Sequence, residues 1–442
     1  MPSDMLLIHV PRLSNRLGYT LNVLFHHLLR TDFSITTDPD CFAAHSGPKL
    51  CYGPHHLEGG IYLKSVPLLF STSIEEQNHR ATQQDGQWQL FPVYGGDSDL
   101  PFDPLAASFF MLSRYEEYLP YRTDPHGRFP AEQSIAYRHG FLRQPVVEQW
   151  AALLRSLLHS RYPNLRLPQP TYSLVQTFDI DEAWCYLHKG LVRTLAGTAR
   201  NLFLQHDPAA VRQRIRVLRH RAPDPYDTFA HILSLHRRYP ASRLFFFALV
   251  ADYGQFDKPI SHLNPHMRDL LQSLADHATL GIHPGYSTLD KPADCDLEIA
   301  RLQSILHRDI HHSRFHFLRL HLPHSYRILL HAGIRHDHSM AFPDAPGFRA
   351  GTSSPFPFFD LLRDQETDLL IHPFCLMDTT LRRYLHLAPA EALPLCRELV
   401  DSVRAVGGAF TTLFHNQNLA DTEPWQGWRT LYEQIFAYAQ PH

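Results

Sequence analysis

The chain has no paired cysteine motif, no long apolar run and no excess of either charge, and each absence narrows what it does. Its six cysteines, Cys41, Cys51, Cys185, Cys295, Cys375 and Cys396, are scattered over 442 residues without CxxC spacing. At this length that pattern argues for neither a disulfide scaffold nor a cysteine metal site. No stretch approaches the roughly 20 apolar residues that a membrane helix needs, so no integral membrane segment is expected. The N-terminal text MPSDMLLIHVPRLSNRLGY is too interrupted to read as a signal peptide. A soluble, cytoplasmic setting is the expectation. Formal net charge is −3, from 41 Lys and Arg against 44 Asp and Glu. That balance gives no electrostatic reason to bind nucleic acid or an anionic membrane.

What is present reads as a folded protein. Hydrophobic residues make up 44% and charged residues 19%, the balance of a globular chain rather than a disordered one. The length exceeds what one hydrophobic core usually supports, which predicts two domains. The Pro-rich piece RYPNLRLPQPTY, residues 161–172, is the natural boundary, since each Pro fixes φ and removes a backbone donor. Residues 1–165 then form a smaller α/β domain and residues 172–442 a second one. In the first, Leu6–Val10 and Phe33–Thr36 read as strands and Arg16–Leu29 as helix. Further helices are predicted over 104–119 and 144–161, with short strands and turns between 46 and 100.

Beyond the linker, apolar runs alternate with helical segments. Strands are predicted at 174–178, 244–250, 280–282, 315–320, 369–371 and 409–413. Helices are predicted at 228–238, 265–278, 296–307, 323–332 and 389–405, with another at the C-terminus. Such alternation predicts a parallel sheet with crossover helices, either a barrel or an open doubly wound sheet. Active residues in these folds sit at the C-terminal ends of the strands. A basic stretch, Lys189–Arg221, carries Arg193, Arg200, Arg212, Arg214, Arg216, Arg219 and Arg221 with few acidic partners. It reads as a solvated helical insertion, with a surface for an acidic partner as the alternative.

Histidine is the abundant residue, 32 in all, so a histidine is informative only with a partner. Strand 174–178 leads directly into Asp179-Ile-Asp181-Glu182. Carboxylates there are costly unless paired, hydrogen-bonded or on a metal, and residues i and i+2 of an extended segment point the same way. Asp179 and Asp181 can therefore face one centre; capping the following helix is the other reading. Four further strand or turn ends carry candidates: His283 in Gly281-Ile282-His283-Pro284-Gly285-Tyr286-Ser287, then Arg314 and His316, Arg349 in a glycine-bounded turn, and His415-Asn416.

The motifs TFDID (177–181), GIHPGYS (281–287), GFRAG (347–351) and LFHN (413–416) together resemble the NodB-like polysaccharide deacetylases, carbohydrate esterase family four. SRYEEYL (113–119), DPHGRFP (124–130), FFFALVADYGQFDK (245–258) and PFCLMDTTL (373–381) resemble a bacterial branch of that family with an extra N-terminal domain of unknown function. The resemblance implies a deformed (β/α) barrel, a divalent metal, most often Zn2+, and removal of an N-acetyl group from a carbohydrate. By position, Asp179 matches the general base, Asp181 and His283 metal ligands, and His415 the acid for the leaving amine. Arg349, or else Arg314, matches the arginine that orients the base. The family's second metal-binding His falls at Ser287. His316 is the preferred replacement and His372 the second; Ser287 binding through water, or a site without metal, are the alternatives. Tyr286, Phe356, Phe358 and Phe359 are candidates for an aromatic wall, against an ordinary core reading. Two other functions stay open, a glycan-binding protein without catalysis and a hydrolase of another small acetylated or amide metabolite.

Overall fold

A computed structural model describes residues 5–441. Four strands, β1 (Leu6–His9), β2 (Phe33–Thr36), β3 (Lys49–Gly53) and β4 (Ile61–Lys64), form a parallel sheet in the order β2-β1-β3-β4. A small hairpin follows, β5 (Thr82–Gln84) and β6 (Gln87–Gln89), turning on Asp85-Gly86. Both turn residues have positive φ, 50° and 80°, the geometry that selects Asp-Gly in a two-residue hairpin.

The larger sheet contains β7 (Ser173–Ile180), β8 (Arg243–Ala248), β9 (Thr279–Ile282), β10 (His312–Ser313), β11 (His336–Asp337), β12 (Phe356–Asp360), β13 (Gln365–Ile371), β14 (Leu376–Met377) and β15 (Ala409–His415). Its order is β12-β13-β11-β10-β9-β8-β7-β15-β14. Every ladder is parallel except β12 with β13. Helices Phe229–Arg238, Pro265–Ala275, Pro292–Leu306, His324–His331 and Pro389–Val406 make the crossovers. The α/β class with parallel sheets is therefore as expected. Closure is not: among the described residues no ladder joins the edge strands β12 and β14, so the sheet remains open. No described helix is long and apolar enough to cross a membrane.

Two local expectations fail for identifiable reasons. The run 315–320 is not a strand. Pairing of β10 stops at Ser313, the Phe315 N–H is taken by Ser339 Oγ, and Phe317 and Leu318 adopt positive φ in a short turn. The helix expected over 104–119 ends at Leu112, because Arg114 is left-handed (φ 52°), and a separate turn, Tyr115–Tyr118, follows.

That conformation turns Arg114 inward. Its Nε donates to Glu117 (2.7 Å), its Nη2 to Glu116 (2.9 Å) and its Nη1 to the Arg349 carbonyl. Arg349 meets the same Glu117 carboxylate through two parallel bonds, 2.8 and 2.6 Å. All three side chains are buried. Burial alone would push the Glu117 carboxyl up, but Arg349 and Arg114 outweigh it and hold it below its ordinary value. A second carboxylate, Glu148, accepts from the Ser353 and Ser354 N–H groups (both 2.9 Å) and the Thr352 hydroxyl (2.8 Å). One apolar core cluster runs through both halves, from Leu6 to Ala439.

Removing the shared carboxylate leaves the buried Arg349 guanidinium without its counter-charge and Arg114 with Glu116 alone. Glu117→Gln is expected to destabilise the protein by about 3–5 kcal/mol, the cost of breaking a buried ion pair from one side. Urea unfolding measures this, and a loss below about 1 kcal/mol would show that the cluster is not a stabilising brace.

Candidate metal centre

Strand β7 is buried on both faces over Leu174–Ile180, as a central parallel strand is. It delivers Asp179 at its end and Asp181 just beyond. Its neighbour β15 runs parallel in a register that sets His415 beside Asp179. On the other side, β8 separates β7 from β9, and His283 follows the last residue of β9. Gly281 makes that placement possible. A Cβ there would lie 2.7 Å from the His312 carbonyl and from the Phe247 ring, so only glycine lets the strands approach this closely. Arg314 and His316 follow β10, and Asp378 follows β14. Every one of these groups lies at the C-terminal end of a strand, where parallel sheets carry their sites.

The side chains converge on Asp181. Its Oδ1 lies 3.3 Å from His283 Nε2 and 3.8 Å from His316 Nε2, and its Oδ2 lies 3.7 Å from His415 Nε2. Gln417 donates to Oδ2 at 3.2 Å. Asp179 approaches the same His283 nitrogen at 3.6 Å, and accepts from Arg314 Nη1 at 2.9 Å. Thus Asp179 and Asp181 face one centre. Burial alone would raise the Asp181 carboxyl, but His316, His415 and His283 outweigh it and hold it far below the usual carboxylate range.

Each imidazole is held from behind. His283 Nδ1 donates to the Arg314 carbonyl at 2.6 Å, His316 Nδ1 to Asp257 at 2.7 Å, and His415 Nδ1 to Asp378 at 2.8 Å. These bonds put the proton on Nδ1 and leave all three Nε2 atoms facing Asp181. Asp378 also accepts from the His415 N–H and from Asn418. Burial lowers the basicity of His415, but Asp378 and Asp181 overcome this and raise its pKa to about 9. His283 is raised as well: burial opposes, and Asp179 and Asp181 more than compensate.

Asp181, His283 and His316 offer ligand atoms that all lie within 4.8 Å of one another. Asp181 Oδ1 and His283 Nε2 are buried with no hydrogen-bond partner, an arrangement costly in itself. A cation between them removes that cost. One carboxylate and two imidazoles is a donor set that suits zinc and leaves a position open. These residues fit a divalent metal. The centre opens into a cleft of about 360 Å³ whose walls include Arg128, Phe256, Phe317, Leu318 and Tyr384.

Several expected residues lie elsewhere. Arg349 does not serve Asp179: its guanidinium is committed to Glu117 and to the Ala341 carbonyl. Arg314 is the arginine that pairs with Asp179. Ser287 does not join the centre, because the chain turns after Pro284 and its hydroxyl donates to Asp294 at 2.8 Å. His316 instead turns its Nε2 toward Asp181. His372 sits in a separate histidine group, 3.0 Å from His336 Nδ1. Phe356, Phe358 and Phe359 are buried on β12, with Phe358 against Tyr326 and Phe359 against Tyr19 and Phe109. Tyr286 stands nearer the cleft, stacked on Phe256 at 4.0 Å.

Residues that sequence reasoning missed support those it found. Asp257 and Asp378 both sit in motifs singled out above, ADYGQFDK and PFCLMDTTL, but neither announces its distant histidine. The N-terminal segment DPHGRFP supplies Arg128, which donates to the Phe317 carbonyl (2.6 Å) and the Tyr384 hydroxyl (3.1 Å) at the cleft rim.

Comparison with known proteins adds a family of unknown function and two distant structural likenesses. Residues 6–163 match the model of a family of unknown function, DUF7033. No curated protein matches the chain in sequence. A crystal structure from Mycobacterium smegmatis, assigned as a polysaccharide deacetylase, aligns at TM-score 0.38 and 16% identity over 61% of this chain and 84% of that one. A 4-alpha-glucanotransferase from Thermococcus litoralis aligns at TM-score 0.36 and 13% identity, over 62% and 37% of the two chains. The chemistry of this chain is therefore read from its own residues.

Proposed function

We propose that the protein is a metal-dependent hydrolase that removes an N-acetyl group from an amino sugar or glycan, with zinc as the metal. The observation that carries this reading is the unsatisfied pair Asp181 Oδ1 and His283 Nε2, flanked by Asp179 on one side and His415 on the other. The strand order supports a deformed barrel for residues 172–442, since β7 lies between the next strand in sequence, β8, and the last, β15. Residues 1–165 act as a second domain that closes over the mouth through Arg128.

Asp181, His283 and His316 would hold the metal, with Asp257 and the Arg314 carbonyl fixing the two rings. When bound there, it would supply Lewis-acid polarisation of the amide carbonyl and a lowered pKa for attacking water. Asp179 accepts the proton of that water, and its bond to Arg314 fixes its direction. His415, raised to about 9, carries a proton at neutral pH and gives it to the departing nitrogen. Base and acid thus start in opposite protonation states, as hydrolysis of an amide requires. The aromatic faces of Phe256, Phe317 and Tyr384 at the rim suit a sugar ring.

Three outcomes test the assignment. Asp181→Ala is expected to lose the bound metal, read by elemental analysis. Asp179→Asn should retain a full equivalent yet lose activity on an N-acetylated sugar by about 10²–10⁴-fold; wild-type turnover in both variants ends the proposal.

The raised His283 fixes the sign of a pH effect. Its Nε2 proton must leave before a metal binds, while the depressed Asp181 stays ionised, so affinity should rise with pH by up to about tenfold per unit while that proton titrates. Chelator competition across neutral pH measures it, and a flat profile would show that His283 is not a ligand. The Asp378→Asn variant should lower the His415 pKa in metal-free protein, followed by imidazole NMR; an unchanged titration removes Asp378 from its supporting role.

A further inference from the structure

Helices normally bury their apolar stripe against the protein and leave their polar side in water. The segment after β7 does the reverse. The helix Gly190–Ala199 runs on through a wider turn, Arg200–Leu204, and none of these residues is buried. Leu191, Leu195, Phe203 and Leu204 are 82, 69, 70 and 77% exposed, with Val192 and Leu202 beside them. The side turned inward is polar or small. Arg193 donates to the carbonyls of Pro259 (2.7 Å) and Lys258 (3.1 Å), and Gly197 packs on the Arg214 guanidinium. The next helix, Pro208–Leu218, adds exposed Ile215 and Leu218 on a surface shared with exposed Arg212, Arg216 and Arg219.

Charge selects what covers this face. Residues 189–221 carry eight Lys and Arg against a single acid, Asp207, which is used to cap the second helix. A second copy of the chain meeting this face symmetrically would set one basic surface against another. An anionic bilayer offers both an apolar interior for the leucines and a counter-charge for the arginines, the pattern of helices that lie in a membrane interface.

We propose that residues 190–221 form an interfacial element that docks the protein on anionic lipid surfaces, its leucines and Phe203 inserted and its arginines at the headgroups. The element borders the cleft, because Lys189 pairs with Glu182 and Arg193 is tied to Lys258, both cleft residues. Docking is independent of whether the cleft hydrolyses an amide.

Co-sedimentation of the full chain with vesicles tests this. Vesicles of phosphatidylcholine with about 30% phosphatidylglycerol should pellet the protein, and pure phosphatidylcholine vesicles should bind at least roughly tenfold less. Binding should weaken as NaCl rises from about 0.1 to 0.5 M. The double variants Leu195→Ser/Phe203→Ser and Arg212→Gln/Arg216→Gln should each lose about tenfold or more while unfolding in urea at the wild-type midpoint, since all four positions are exposed. Wild-type protein that stays in the supernatant with anionic vesicles overturns the proposal. So does a wild-type dimer in solution that Leu195→Ser/Phe203→Ser converts to monomer while vesicle binding is unchanged; that result gives the face to a second copy.

Discussion

A carboxylate ringed by three imidazoles, as Asp181 is by His283, His316 and His415, needs a cation or protons to be stable in a buried place. The approaches are 3.3, 3.8 and 3.7 Å, and Oδ1 accepts no hydrogen bond. The surroundings are arranged so that the rings cannot swing away to better partners. Each has its rear nitrogen fixed, to a carbonyl or to a carboxylate, and each carboxylate is itself placed by the end of a strand or a turn. Asp181 therefore sets the function of its neighbours. His283 and His316 turn their Nε2 atoms to a common point, while His415, tied to Asp378, holds its proton more tightly than a free imidazole.

Much of this was legible in the sequence because strand ends are local signals. Apolar runs that stop at Asp179, His283 and His415 identify their own termini, and the i, i+2 spacing of Asp179 and Asp181 foretells a shared direction. The misreadings have a common origin. Arg314 and Arg349 each follow a plausible strand or turn, and only the buried Glu117, more than two hundred residues from Arg349, decides between them. Ser287 fails because a tight turn after Pro284 redirects the chain onto Asp294. The two-residue strands β10, β11 and β14 are too short for any periodicity, yet β10 and β14 place Arg314, His316 and Asp378. Asp257 and Asp378 are invisible for the same reason as Glu117: a carboxylate that orients a distant ring leaves no pattern in its own neighbourhood.

The N-terminal half matters to the site through buried charge rather than through chemistry of its own. Arg114, Glu117 and Arg349 lock the loop before β12, and Glu148 gathers the N–H groups of Ser353 and Ser354 on the same segment. From that braced base, Arg128 reaches over the cleft to the Phe317 carbonyl and Tyr384. Phe317 and Leu318 sit at positive φ directly after His316. A contact that holds Phe317 thus also limits how far the His316 ring can move from Asp181. The rim of the cleft and the Asp181 centre share one support.

Net charge misled where local charge is informative. A chain at −3 gives no reason to seek an anionic surface, yet a charge more than a Debye length away, about 8 Å at physiological salt, contributes little at the point of contact. The eight basic residues of 189–221 therefore act almost without regard to the acids distributed over the rest of the molecule. Arg193 ties the first helix to the body through the Pro259 and Lys258 carbonyls, and Arg214 joins the two helices through Asn201, so the inward side is polar and the apolar stripe faces away from the core. Folding leaves that stripe in water, at a cost of roughly 25 cal/mol for each Å² of apolar surface. A surface kept in that state beside the cleft is what the proposed docking on an anionic bilayer would cover, and it would set the mouth of the cleft where an apolar phase and water meet.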